Sequence, residues 1–232
     1  MATAIFPAAG QSRRMKSILT SVTNKNFLEF GGFSILIRTL MTFSQSKEID
    51  SLIIAASRDE TLEVEKILNA AAGVLKSFQV VVGGSERQCS IANALKVVSD
   101  DCDVVLVHDA ARPLVSLNTV EEVVETARTY GGAIAAMPEK NTIKVIDDDG
   151  FVVDTPPRSK LVSVQTPQGF RRDIILKAYE QAERDNFLGT DDSSLVERLG
   201  YKVKIVKSDY KNIKITTPED ILIVKAFLRS DH

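Results

Sequence analysis

Short apolar, partly β-branched runs alternate with longer amphipathic stretches along most of this chain, and that alternation restricts its fold more than any other feature. Ala2 to Pro7, Leu52 to Ala56, Phe78 to Val82 and Val104 to His108 read as strands buried on both faces. Between them, Ile35 to Gln45, Thr61 to Ala72, Ser90 to Val98 and Asn118 to Tyr130 carry helical periodicity. The alternation predicts an α/β fold: a mostly parallel sheet with helices on both faces. With 232 residues, 44% of them hydrophobic, the chain suits one large domain with a sizeable core.

The pattern breaks after Met137. Asn141 to Val153 reads as a polar β-hairpin turning at Asp147-Asp148-Asp149-Gly150, and Ser159 to Thr166 reads as a return strand. The hairpin is too small and too polar to stand alone, so it is expected to be an arm packed on something else. Helical pattern resumes over Asp173 to Arg184, and Tyr201 to Val206 reads as a strand. Thr217 then caps a last helix with Pro218 at its first position. The expected organisation is a single domain, 1–232, with a β-arm over 138–161 inserted in it.

A net charge of −2 offers nothing for nucleic acid or an anionic membrane surface. It still permits a polyphosphate site, because basic groups need only cluster locally. The two cysteines, Cys89 and Cys102, form neither a C-x-x-C pair nor a zinc cluster with histidine, which points to a reducing compartment. No signal-peptide pattern opens the chain, and no run of about 18 apolar residues occurs, so a cytoplasmic protein is expected.

Several segments carry chemistry. Pro7-Ala8-Ala9-Gly10-Gln11-Ser12-Arg13-Arg14-Met15 follows the first strand, where small residues let backbone N–H groups form an anion nest and the arginines add phosphate donors. A plain strand-to-helix turn with solvated arginines explains that spacing equally well. Gly83-Gly84-Ser85-Glu86-Arg87-Gln88-Cys89-Ser90 joins a strand to a helix, and its glycine pair would let a base or ribose lie against the backbone. In His108-Asp109-Ala110-Ala111-Arg112-Pro113, Asp109 stands at the carboxyl end of a buried strand, where open α/β sheets bind ligands. There it can reach a Mg²⁺ on a triphosphate or simply pair with Arg112; His108 can equally be a structural hydrogen-bonding residue. A further group comprises Thr142, Lys144, Arg158 and Gln165-Thr166-Pro167-Gln168. Lys214, in an apolar-alternating stretch read as a strand just before the last helix, is placed better for catalysis than a loop-tip lysine, although an ordinary surface lysine is the commoner case.

Taken in order, PAAGxSRRM, GGSER, HDAARP, NTIK, QTPQGF, TDDSSLVE and NIKITTPED resemble the 2-C-methyl-D-erythritol 4-phosphate cytidylyltransferase family, and the resemblance runs from Pro7 to Asp220. It implies a Rossmann-like nucleotidyltransferase domain whose projecting β-arm interlocks two subunits as a homodimer. It implies CTP and a small polyol phosphate as partners, with Mg²⁺ as cofactor. The glycine-rich loop matches Ala8, Ala9 and Gly10. The catalytic positions match Arg14, Lys25 and Lys214, with Lys16 a rival to Lys25 because the loop from Met15 to Lys25 is longer than is usual in the family. Cytidine contacts match Gly83, Ser85 and Ser90, with Asp109, Ala110 and Arg112 beside them. Thr142 and Arg158 match the acceptor-phosphate contacts lent to the neighbouring subunit. This chain departs from the family at Ser12, at Asn24-Lys25-Asn26 and at Asn141-Thr142.

The chemistry is consistent with that set. Two polyanions repel, so Mg²⁺ and the cations Arg14, Lys25 and Lys214 are needed to bring them together, with the acceptor's free hydroxyl expected to attack the α-phosphorus of CTP. Two alternatives stand beside this reading: a ribitol-5-phosphate cytidylyltransferase, and a nucleotide-binding protein of the same fold without catalysis.

Overall fold

The computed structural model describes residues 1–10, 15 and 24–230. The chain opens with β1 (Ala2–Pro7). After a short 3₁₀ turn, Lys25–Phe27, come β2 (Glu29–Phe30), β3 (Phe33–Ser34) and α1 (Ile35–Gln45). Then follow β4 (Ile49–Ala56), α2 (Thr61–Ala70), β5 (Ser77–Val82), α3 (Arg87–Leu95), β6 (Val104–Val107), α4 (Leu117–Tyr130) and β7 (Gly132–Pro138). The remaining elements are β8 (Val145–Ile146), β9 (Val152–Asp154), β10 (Val162–Arg171), α5 (Arg172–Arg184), α6 (Asp192–Arg198), β11 (Lys204–Lys207) and α7 (Pro218–Ser230).

The central sheet has seven strands in the order β11-β7-β10-β6-β1-β4-β5. β1 pairs in parallel with β4 and β6, β4 with β5, and β11 with β7, while β10 runs antiparallel to both β6 and β7. The sheet is therefore mostly parallel, as the alternation predicts. The chain leaves β1 towards β4 and β5, then returns to β6 on the other side, so the strand order reverses beside β1 and opens a crevice at the carboxyl ends.

Alternate residues of each strand face opposite layers. Ala4, Phe6, Leu52, Ile54 and Leu106 join residues of α1, α2 and α4 on one face. Ile5, Ile53, Val105 and Val107 join residues of α3, α5 and α6 on the other. A third cluster, with Met15, Phe30, Ile35, Ala111, Ile215 and Val224, seats α7 at the carboxyl ends of the strands. Side-chain caps set helix starts: Ser34 Oγ accepts from Ile37 N at 3.2 Å, and Ser116 Oγ from Thr119 N at 3.1 Å.

The structure corrects several expectations. β5 is a sheet edge with no fully buried residue, not a doubly covered strand. α3 begins at Arg87 rather than Ser90, so Ser90 lies inside it. β7, whose alanine-rich run lacks the β-branched signal, and the short α6 are elements the periodicity does not pick out. The hairpin strands β8 and β9 are shorter than the polar alternation suggests. The pair rises from the ends of β7 and β10, and residues 141–155 are exposed throughout. Its apolar side chains share that exposure, Phe151 at 72% and Ile146 and Val153 at 60% each.

Gly131 ends α4 at φ 92°, and its N–H bonds Ala127 O at 2.8 Å. Gly131→Ala is expected to cost about 1–2 kcal/mol, because L-residues resist left-handed backbone, lowering the melting temperature by about 2–8 °C. Gly73, whose added Cβ would meet open space, is the control: Gly73→Ala should leave calorimetric stability nearly unchanged.

Candidate active site

A cleft of about 600 Å³ opens where the strand order reverses, a size suited to a nucleotide. Its walls come from the loops after β1, β4, β5 and β6, and from the segment leading into α7. Each loop reaches it for a local reason.

The turn after β5 meets the loop after β1 at close quarters. A Cβ on Gly83 would stand 2.7 Å from Ala9 Cβ and 2.9 Å from Ser90 Oγ, and one on Gly84 would stand 2.3 Å from Cys89 Cβ. The glycine pair is therefore required by packing. Ser90 Oγ holds the turn, accepting from Gly84 N at 3.0 Å and donating to Glu86 O at 3.0 Å. Ala9, Gly10, Gly83, Ser85 and Ser90 all line the cleft. Ala8 is buried behind it, its carbonyl receiving Asn24 Nδ2 at 3.2 Å.

The loop after β6 carries the charge. Asp109 is buried, yet Lys214 Nζ lies 3.0 Å and Arg112 Nε 3.2 Å from its Oδ2, and Arg87 Nε lies 3.5 Å from its Oδ1. Burial alone would raise the Asp109 pKa, but Lys214, Arg87 and Arg112 together hold it well below the usual carboxylate range. Asp109 pairs with Arg112, and it also faces the cleft. Ala110 also lines the cleft.

Lys214 does not lie in a strand, contrary to the alternation of its segment. Residues 212–216 lie outside regular secondary structure and join no sheet, and single bonds tie them to the loop after β6. Ile215 N donates to Ala111 O at 2.9 Å, and Arg112 Nη1 donates to Asn212 O at 2.7 Å. Asn212 is fully buried and anchors the segment through Nδ2 to Thr166 O at 2.9 Å. Ile215 turns into the cluster beneath α7, which leaves Lys214 facing the cleft. Lys25 lines the same cleft and donates to Ile215 O at 2.5 Å, so the first lysine steadies the backbone beside the second.

His108 is structural. Its fully buried ring packs on Phe43 with centroids 4.8 Å apart. A carbonyl can only accept, so Nε2 donates to Arg112 O at 3.2 Å, and Nδ1 accepts from Thr166 Oγ1 at 3.1 Å. The same hydroxyl accepts from Asp109 N at 3.0 Å, which ties β10 to the backbone of the charged loop.

Arg14, together with Gln11, Ser12, Arg13 and Lys16, lies outside the described residues. Thr142 and Arg158 are exposed on the hairpin and its base; Arg158 Nη1 donates to Lys140 O at 2.8 Å, and neither residue lines the cleft of its own chain. Arg87 and Asn212 are the residues that the sequence reading passes over. Arg87 stands inside the GGSER segment, but its partner Asp192 is remote in sequence.

The sequence profile of the family described as 2-C-methyl-D-erythritol 4-phosphate cytidylyltransferase matches residues 2–230. A protein of that description from Caldanaerobacter subterraneus subsp. tengcongensis is 44% identical over 226 residues, 97% of this chain and 98% of the relative. Another from Bacillus mycoides is 45% identical over 228 residues, 98% of each chain. The crystal structure of 4-diphosphocytidyl-2C-methyl-D-erythritol synthase from Anaerococcus prevotii is similar at a TM-score of 0.87 and 35% identity, covering 99% of this chain and 96% of that one.

Burial pushes the His108 pKa down from 6.5 to about 3, against the opposing charge of Asp109. The folded chain therefore binds fewer protons here than the unfolded chain between those values. The contribution of His108 to stability is complete above pH 6.5 and is lost as pH falls towards 3. Its ring resonances in NMR are expected to stay those of neutral imidazole down to pH 4; protonation near pH 6 would contradict the buried relay.

Proposed function

The chain belongs to the 2-C-methyl-D-erythritol 4-phosphate cytidylyltransferase family, and from that premise we propose how its cleft performs the reaction. The protein is a nucleotidyltransferase that joins CTP and 2-C-methyl-D-erythritol 4-phosphate, giving the CDP-polyol and pyrophosphate, in non-mevalonate isoprenoid precursor synthesis. The observation that carries the proposal is the cluster of Lys214, Arg112 and Arg87 around Asp109 on the cleft wall.

Atom balance corrects the expected nucleophile. A CDP-polyol has a diphosphate between cytidine and polyol, so an oxygen of the acceptor's phosphate, not its free hydroxyl, forms the new bond to the α-phosphorus. The bond to the β-phosphate oxygen breaks, and its electron pair leaves with pyrophosphate. No covalent enzyme intermediate is needed. The protein's task is to bring two polyanions together and stabilise the charge gathered about the α-phosphorus.

In this reading Lys214 turns from Asp109 to the α-phosphate, joined by Lys25 and by Arg14. Ala8, Ala9 and Gly10 shape the phosphate loop. Gly83, Ser85 and Ser90 read the cytosine edge, with Ala110 and Arg112 beside the ribose. Mg²⁺, held by Asp109, would neutralise part of the triphosphate charge. The described residues hold no group of three or more His, Cys, Asp or Glu that would bind a metal alone. A single buried carboxylate, Asp109, does fit a Mg²⁺ ion that keeps several waters and takes its other ligands from phosphate.

The reading treats 1–232 as one nucleotidyltransferase domain with the arm 138–161, acting as a homodimer in the cytoplasm. Exposed Ile146, Phe151 and Val153 give the arm an apolar surface that a second copy would cover. Two-fold symmetry then carries Thr142 and Arg158 to the partner's acceptor site. Arg158 suits that place because its planar fork holds a phosphate in a bidentate way.

Pyrophosphate release from CTP is expected with 2-C-methyl-D-erythritol 4-phosphate and not with ribitol 5-phosphate; the reverse preference overturns the reading. Lys214→Ala should keep its fold by circular dichroism while losing about 2–4 kcal/mol of transition-state stabilisation, and a folded variant at wild-type rate refutes the role. Mixing subunits tests the arm. Arg158→Ala and Lys214→Ala chains should each be nearly inactive alone, yet their heterodimer holds one site free of both lesions and should regain activity. Heterodimers that form without regaining it would place Arg158 in its own subunit's site.

A further inference from the structure

Asp192, at the start of α6, is a fully buried carboxylate to which the reaction as read above gives no task. Its Oδ2 accepts from Arg87 Nη2 at 2.7 Å, and its Oδ1 accepts from Tyr179 Oη at 2.5 Å. Arg87 then reaches Asp109 through Nε, 3.5 Å from Oδ1. A continuous line of polar groups thus runs from α5 through α6 and α3 to the cleft: Tyr179, Asp192, Arg87, Asp109, Lys214.

Tethering α6 does not require this line. Gln88 already binds the approach to α6 on both sides, with Nε2 donating to Phe187 O at 2.9 Å and Oε1 accepting from Gly189 N at 2.9 Å. Gln168 binds its start, with Nε2 donating to Asp191 Oδ2 at 2.8 Å and Oε1 accepting from Ser193 N at 3.0 Å. Apolar packing of Leu195 and Val196 completes the attachment. A second buried charge, costly to desolvate, is superfluous for that purpose. What Asp192 adds is the orientation of Arg87. Arg87 addresses the two carboxylates through two separate nitrogens, Nη2 and Nε, a spread that the single nitrogen of a lysine lacks. Burial disfavours the charged guanidinium, yet Asp192 and Asp109 hold its pKa above its ordinary value; burial and Asp192 keep the Tyr179 hydroxyl protonated, as a donor.

We propose that Asp192 and Tyr179 are positioning residues that fix Arg87 against Asp109, so that Asp109 keeps its place when Lys214 leaves it for the nucleotide's phosphates. The proposal rests on the reading of Asp109 and Lys214 as parts of the CTP site. Arg112 Nε lies at Oδ2 of Asp109 and Arg87 Nε at Oδ1, so a side-chain cation stays beside each oxygen when Lys214 leaves.

The test is a kinetic double-mutant cycle on the full-length enzyme, reading pyrophosphate release with CTP and 2-C-methyl-D-erythritol 4-phosphate. Tyr179→Phe removes one hydroxyl and Arg87→Lys keeps the charge without the fork, so both preserve the core where Asp192→Asn risks unfolding. Tyr179→Phe is expected to lower kcat/KM for CTP by about 3–10-fold, a loss equivalent to about 0.6–1.4 kcal/mol. Arg87→Lys should lower it by at least 10-fold. Adding Tyr179→Phe to Arg87→Lys should produce no further loss, since the hydroxyl acts through the fork. Equal losses from Tyr179→Phe in both backgrounds, or a change in melting temperature with unaltered kcat/KM, overturn the proposal and leave a structural staple. A wild-type chain unable to turn over these substrates would instead overturn the reading of the site, a result the ratios among variants do not produce.

Discussion

A single carboxylate withdrawn from water organises the mouth of this fold. Asp109 is buried at the end of β6, and an ionised group in that position is tolerable only if cations and hydrogen bonds replace its water. They arrive from three separate places: Arg112 from its own loop, Arg87 from the start of α3, and Lys214 from the segment before α7. The two arginines are each held by a further bond, Arg112 on Asn212 O and Arg87 on Asp192. Among the described residues, Lys25, Arg58, Arg87 and Lys214 face Glu86 and Asp109 along the cleft, which leaves its lining two units positive in a chain whose net charge is −2. The field at the cleft therefore opposes the sign of the whole molecule, which is what a polyanionic ligand requires.

The limits of α1 and β1 follow directly from the sequence, because strong periodicity meets clear stop signals at Ser34 and Pro7. Gly132 to Met137 escapes the same reasoning because alanine does not announce a strand; the run is extended because β10 and β11 flank it. Lys214 errs the other way. Its Ile-Lys-Ile alternation has the period of a strand, but the backbone N–H of its neighbour Ile215 pairs with Ala111 in the loop beyond β6, and the segment joins no sheet. At the site, Asp109, Arg112 and Lys214 are legible because their local segments place them at strand or helix ends. Arg87 is not, because its task depends on Asp192, which only the tertiary fold brings to 2.7 Å.

Small residues in two motifs turn out to need one another. Ala9 and Gly83 approach so closely that neither loop tolerates a larger partner, and Ser90 fills the space that remains. Packing and ligand access therefore act on the same atoms. An enlarged side chain at Gly83 would displace the loop after β1 or Ser90 on α3.

The two margins of the central sheet are unequal. β11 presents Lys204 and Lys207, both exposed, along one margin; β5 presents Ser-Phe-Gln-Val-Val-Val, with no charge, along the other. Unpaired backbone groups on a strand invite a foreign strand to add to them, and lysines discourage that addition through the charge they would bury. The β11 side is thus guarded against self-association by its own composition. The β5 side relies instead on remaining folded against α2, so crowding and heat would recruit neighbouring chains there first.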